Sequence, residues 1–179
     1  MAVRIVTDST DGLSAEIAQK FNITVIPYYV ISERESLTED ASFDRIQYYR
    51  NLSQAEKLPT TSHPSLQDIV ETYQRLLLQS DEPIIHLTIS AKLTTTYEMA
   101  LQAKKELPEA RIEVYDTEAA TARQAPTAIE AARLANSGTK VEEILSSLKE
   151  NKERIDGIMV FNTLKYLAKG GRIQRTQWL

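Results

Sequence analysis

Short apolar runs alternate along the chain with longer segments whose apolar residues recur every three or four positions. Val3 to Val6 is the first run, broken only by Arg4 and ended by the turn-forming Thr7-Asp8-Ser9-Thr10-Asp11-Gly12, which predicts a strand followed by a loop. Ser14 then precedes Ile17, Ala18 and Phe21 at helical spacing, with Glu16 near the positive end of the dipole, so a short capped helix is expected. Thr24 to Ile31 is β-branched and aromatic enough for a second strand, with Pro27 inside it marking an edge or a bend. Residues 33–44 carry Glu33, Glu35, Glu39, Asp40 and Asp44 among few large apolar groups and read as an exposed acidic connection. Helical spacing returns weakly at Phe43, Ile46 and Tyr49, and strongly at Ile69, Val70, Tyr73, Leu76 and Leu77.

The second half repeats the alternation. Residues 83–89 and 111–115 have strand composition, and Ile158 to Phe161 is expected to be a fifth strand. Helices are expected over 97–107, ending at Pro108, over 121–136, closed by Gly138, and over 141–149, capped by Thr139. A last short helix over 164–169 meets Gly170-Gly171. Strands alternating with helices of this length predict an α/β fold, a doubly wound, mostly parallel sheet with helices on both faces. With no repeat, low-complexity tract or linker, residues 1–162 are assigned to one domain and 163–179 to a tail or the start of a further unit.

Composition narrows the chemistry. The chain has 179 residues, 42% of them hydrophobic and 26% charged, enough for one buried core and too apolar for disorder. Lys plus Arg number 21 against 25 Asp plus Glu, a formal charge of −4, so no global basic field attracts nucleic acid. No stretch approaches the ~20 apolar residues of a membrane span, and strand-like sequence follows Met1 directly, so a cytoplasmic protein is expected. Without Cys and with two isolated His, thiolate catalysis, disulfides and His-rich metal sites are excluded, and neither a metal nor a cofactor is expected. Neither G-x-G-x-x-G nor the P-loop pattern occurs. Hydroxyls, carboxylates and bases must carry whatever chemistry there is.

Two hydroxyl clusters stand out. Thr60-Thr61-Ser62 and Thr94-Thr95-Thr96 each precede an expected helix, where unpaired N–H groups and the dipole favour an anion. Loops at the carboxyl ends of strands in a doubly wound sheet meet in one crevice, so both could converge on a carboxylate or phosphate. The competing reading is ordinary capping, by Thr95 with Glu98 and by Ser62 or Ser65. Asp8 at a strand end invites a nucleophilic-aspartate reading, but Thr10 occupies the place of the second carboxylate such a site uses. Of the histidines, His63 lies in the Thr-Ser loop and could touch a ligand, while His86 sits in an apolar strand as a core imidazole would. Lys165, Lys169 and Arg172 fall on one stripe, a local basic patch suited to an acidic partner or solvent.

Taken in order, Ile5-Val6-Thr7-Asp8-Ser9-Thr10, Pro59-Thr60-Thr61-Ser62-His63-Pro64-Ser65, Ile89-Ser90-Ala91-Lys92-Leu93-Thr94-Thr95-Thr96-Tyr97, Val114-Tyr115-Asp116-Thr117 and Thr163-Leu164-Lys165-Tyr166-Leu167 through Gly170-Gly171-Arg172-Ile173 resemble the DegV family of bacterial fatty-acid-binding proteins. The resemblance implies an EDD-type α/β first domain, shared with dihydroxyacetone kinase and mannose-type phosphotransferase components, joined to a second α+β domain. It implies a long-chain fatty acid held by its carboxylate, with Thr61 and Ser62 of one loop and Ser90, Thr94 and Thr96 of the other as head-group hydroxyls. It also implies a non-catalytic role, the acid being presented in some members to a separate fatty acid kinase that makes an acyl phosphate. The basic Lys165, Lys169 and Arg172 would face that kinase.

The sequence departs from the family pattern. Ala91 stands where the family usually has a second Ser, Thr95 where it favours Gly, and Arg123 and Gln124 interrupt a small-residue run, making Arg123, like His63, a candidate pocket residue. Members run to roughly 280 residues by domain size, so the second domain is expected to be largely absent here. Two alternatives follow: a shortened paralogue acting as a protein-interaction module, with homo-oligomers formed through the apolar surface the missing domain leaves, and a phosphoryl-transfer enzyme using Asp8 or His63.

Overall fold

The computed structural model describes residues 3–32, 35–52, 54–55, 57–171 and 173. In chain order the strands are β1 (Arg4–Asp8), β2 (Ile23–Ile26), β3 (Tyr29–Ile31), β4 (Ser36–Thr38), β5 (Thr60–Ser62), β6 (Ile84–Thr88) and β7 (Ile112–Asp116). The helices are α1 (Ala15–Phe21), α2 (Arg45–Leu52), α3 (Leu66–Leu77), α4 (Thr96–Lys105), α5 (Gln124–Asn136), α6 (Val141–Asn151) and α7 (Lys165–Lys169).

Four strands form a parallel sheet in the order β2-β1-β6-β7, with Ile5 opposite both Ile23 and Ile85. Successive side chains of a strand point to opposite faces, and here both faces are covered. Ile5, Ile85 and Leu87 pack beneath Ala128, Ala131, Ala132 and Ala135 of α5 and Ile144 and Leu148 of α6. Val6, Ile26, Ile84 and Ile112 pack against Ile69, Tyr73 and Leu76 of α3 and Ala103 of α4. The alanine face of α5 lets that helix lie close on the strands. No helix among the described residues is long and apolar enough to cross a membrane.

A second, antiparallel sheet of order β4-β3-β5 stands beside the first, with Val30 opposite Leu37 and Thr61. It corrects three expectations. The run Thr24 to Ile31 is two strands: Pro27 and Tyr28 break it, and each half joins a different sheet. The acidic connection contains β4. Thr60-Thr61-Ser62 is the strand β5 and starts no helix. Helix α3 begins beyond it, where Ser65 and Asp68 exchange side-chain and backbone hydrogen bonds in a capping box.

Residues 158–161 do not form the expected fifth strand. Ile158 and Val160 are 90% and 89% exposed, and β7 is the edge of the parallel sheet among the described residues. β-branched composition alone does not pair a strand without a partner to bury its face. Thr139 does not cap α6 either; Lys140 occupies the cap position without a side-chain bond.

Candidate functional site

The carboxyl ends of β1, β6 and β7 bring Asp8, Thr88 and Asp116 to one end of the parallel sheet, where the Ser90 loop crosses. Asp8 is fully buried, its Oδ2 accepting the Ile89 N–H (2.9 Å) and its Oδ1 the Thr10 N–H (3.1 Å) and the Thr10 hydroxyl. Burial pushes its carboxyl above the usual range, against those hydrogen bonds. Asp8 therefore ties the start of the loop to β1 and presents no free oxygen for attack on a substrate. Asp116 holds the loop from the other side, accepting the Ala91 N–H at 3.3 Å and the Glu118 N–H at 2.8 Å. Ser90, 5% exposed, donates its N–H to Ala119 O (2.9 Å), and its Oγ accepts the Lys92 N–H (3.3 Å).

The loop leads into α4 through the second hydroxyl cluster, Thr94 and Thr95 preceding the helix and Thr96 starting it. Thr95 makes no side-chain cap bond to the helix; its hydroxyl meets Nε2 of His63 at 3.1 Å. His63 Nδ1 lies 2.7 Å from the Pro64 carbonyl, which can only accept, so Nδ1 donates there. One imidazole thus joins the two hydroxyl loops that the sequence separates by some thirty residues. Thr96 is fully buried, with its hydroxyl against the Tyr28 phenol, while Thr94 is half-buried with its oxygen 3.2 Å from that of Thr96 and 3.4 Å from the phenol. On β5, Thr61 is exposed and Ser62 half-buried. They point to opposite faces of the small sheet, and the Ser62 hydroxyl donates to the His63 carbonyl at 3.2 Å. Of the five candidate hydroxyl residues Thr61 is exposed, Ser62 and Thr94 are half-buried, and Ser90 and Thr96 are buried.

The remaining candidates lie elsewhere. The Arg123 side chain packs on Gly157, where an added Cβ would come within 2.6 Å of its Cγ, and donates to the Lys152 carbonyl at 3.3 Å. Its neighbours are Tyr115, Thr117 and Leu148, not the hydroxyl loops. Lys165 and Lys169 are exposed at the two ends of α7; Arg172 lies outside the described residues. His86 is a core residue, as expected, its Nδ1 2.7 Å from the Tyr73 hydroxyl and its pKa lowered by burial to about 3. Asp11, buried beside Asp8 and Glu39, is raised to about 6 by burial first and by the charges of Asp8 and Glu39 in addition.

Sequence reasoning missed Tyr28 and Asp116 as parts of this site. The first carries only a general signal: a tyrosine behind a strand-breaking proline carries a hydroxyl that must find a partner once buried. Asp116 ends a strand at the crevice edge, the position from which a doubly wound sheet reaches its ligand loops.

A doubly wound parallel sheet with clustered hydroxyls over the carboxyl ends of its strands defines an α/β domain with a candidate anion-binding crevice. The chain belongs to the DegV family, described as a family of uncharacterised proteins, whose model matches residues 2–179. It is 33% identical over 175 residues to a DegV domain-containing protein of Halalkalibacterium halodurans, covering 98% of this chain and 62% of that protein. A fatty acid-binding protein of Thermotoga maritima is 31% identical over 181 residues, covering 99% and 62%. Among solved structures, a fatty acid-binding DegV family protein of Thermus thermophilus superposes with a TM-score of 0.87 at 29% identity, covering 99% of this chain and 62% of that one. The chain thus spans about 62% of the length of these relatives.

Proposed function

We propose that this domain holds a long-chain fatty acid by its carboxylate, with Thr61 and Thr94 as the outward donors and Ser62, Ser90 and Thr96 completing the hydroxyl set. The observation that carries this reading is the His63–Thr95 bond, which draws both hydroxyl loops together at the start of α4. Hydroxyls suit this task because a bond to an ionised acceptor is roughly twice as strong as one between neutral groups, and a hydroxyl donor leaves the charge of the carboxylate unneutralised. The fatty-acid-binding relatives from Thermotoga and Thermus support the ligand class. In this reading the domain performs no chemistry; its ligand's head group remains open to a separate kinase that forms the acyl phosphate, with the exposed Lys165 and Lys169 on the docking side. The setting is cytoplasmic.

Denaturing lipid extraction followed by mass spectrometry tests the reading on the purified chain and on a Thr61→Ala, Thr94→Ala variant. Stoichiometric fatty acid in the first and none in the second is the expected result. Lipid in neither would refute carboxylate holding by this chain.

A second reading, a protein-interaction module, rests on the exposed Ile158, Met159, Val160 and Phe161 and on the edge of β7, which is unpaired among the described residues. Association through that segment would appear as dimer in sedimentation velocity and vanish in an Ile158→Ser, Val160→Ser variant. A strictly monomeric profile would eliminate it.

A further inference from the structure

Tyr28 is the residue at which the chain leaves one sheet for the other. Its N–H donates to Ser9 Oγ (3.0 Å) and its carbonyl accepts the Glu39 N–H (2.8 Å), while Ser9 in turn donates to Glu39 Oε2 (2.8 Å). With the backbone tied on both sides, the 7%-exposed side chain runs beneath the first turn of α4, where its phenol meets Thr96 and Thr94. Of these three hydroxyls Thr96 is fully buried and Thr94 only half-buried. Thr94 is the most accessible member of the three.

Each hydroxyl has one proton to give and two lone pairs with which to accept. A phenol is a stronger donor than an aliphatic alcohol, so with an acceptor seated at Thr94 the protons order in one direction: Tyr28 O–H to Thr96, Thr96 O–H to Thr94, and Thr94 O–H outward. Each bond in such a chain polarises the next and strengthens the last donor. That strengthening is worth most to an ionised acceptor and little to a neutral oxygen.

From this geometry we infer that Tyr28, through Thr96 and Thr94, sets the preference of the site for an ionised carboxylate over a neutral head group on the same alkyl chain. Tyr28 does not touch the ligand; it is a positioning residue, and the inference rests on the carboxylate-holding reading above.

The test is calorimetric titration of the delipidated full chain with hexadecanoate and with hexadecan-1-ol, both delivered from cyclodextrin. Tyr28→Phe is expected to weaken hexadecanoate about five- to tenfold and hexadecan-1-ol less than about twofold, as loss of one bond feeding a charged acceptor requires. Combining Tyr28→Phe with Thr94→Val should weaken hexadecanoate no further than Thr94→Val alone, because the two act in one chain. Thr96→Val, which cuts the same chain one link on, should give the same ratio and keeps the test available if Tyr28→Phe does not fold. Equal weakening of both ligands, unchanged hexadecanoate binding, or an additive double variant would each overturn the inference while leaving the carboxylate reading in place. A wild-type chain that binds neither ligand would overturn both.

Discussion

His86 offers a quantitative test of how the core is built. It occupies the middle of β6 with no exposed surface, its Nδ1 paired with the Tyr73 hydroxyl and its Nε2 without a hydrogen-bond partner among the described residues. Burial lowers its pKa from 6.5 to about 3, so the folded chain refuses a proton that the unfolded chain accepts. The stability this residue allows is therefore complete above pH 6.5 and is lost as the pH falls from 6.5 towards 3. At pH 4.5 the loss spans about two pH units at ~1.4 kcal/mol each, or about 3 kcal/mol. Removing only one partner adds a second effect. Tyr73→Phe strands Nδ1 in the core and should cost about 1–3 kcal/mol at pH 7.5, whereas Tyr73→Phe combined with His86→Leu removes both polar groups and should stay within about 1 kcal/mol of wild type. Urea unfolding followed by far-UV circular dichroism at pH 7.5 and 4.5 reads both effects, and contributions from other titrating groups cancel in the comparison between chains. If the double variant lost as much stability on acidification as wild type, the assignment of the acid sensitivity to His86 would be wrong.

Other expectations are simpler to check. Ser65→Ala removes the capping box of α3 and should lower the unfolding free energy by about 1 kcal/mol in urea melts. Asp11→Asn keeps an acceptor for the Leu13 N–H and removes a charge that the fold disfavours. Because the folded-state pKa is raised from 3.8 to about 6, the variant should be more stable than wild type at pH 7.5, with the gain shrinking as the pH falls through 6 and gone near 3.8 in pH-dependent melts. Asp116→Ala frees the Ala91 and Glu118 N–H groups, and should lower the melting temperature by about 3–8 °C in calorimetry and reduce the fatty acid recovered by extraction.

The parallel sheet is legible in the sequence because its two central strands, β1 and β6, are almost entirely buried and rich in apolar residues, as in Ile84-Ile85-His86-Leu87. The small sheet was hidden. β4 is three residues in an acidic stretch with no strand buried on it, and β5 is three hydroxyl residues whose β-branched character reads as a cap as readily as a strand. Thr60 to Ser62 reads from the sequence as a helix start and forms a strand instead. Thr95 shows the converse: the capping pattern with Glu98 is present, yet His63, distant in sequence, takes its hydroxyl. Tyr28 gives no distinct signal in the sequence, because a tyrosine in an apolar run looks like core until the partner of its hydroxyl is known. Ile158 to Phe161 was read as a strand from composition, but pairing depends on a neighbour that composition does not supply.

The break at Pro27-Tyr28 also has a mechanical side. Thr61 rides on the small antiparallel sheet and Thr94 on the loop that joins β6 of the large parallel one to α4, so the two halves of the proposed grip belong to different slabs. Among the bonds that connect them are those of the Tyr28 side chain and backbone, the Ser9–Glu39 bond, the Tyr29–Asp68 bond and the surface bond from Thr95 to His63. A guest clasped by both halves acts as a rivet across that seam. Its stabilisation, which grows with ligand concentration as RT ln(1 + [L]/Kd), would then fall unevenly, slowing amide exchange in β3, β4 and β5 while leaving the centre of the parallel sheet, already the hardest region to open, almost as it was.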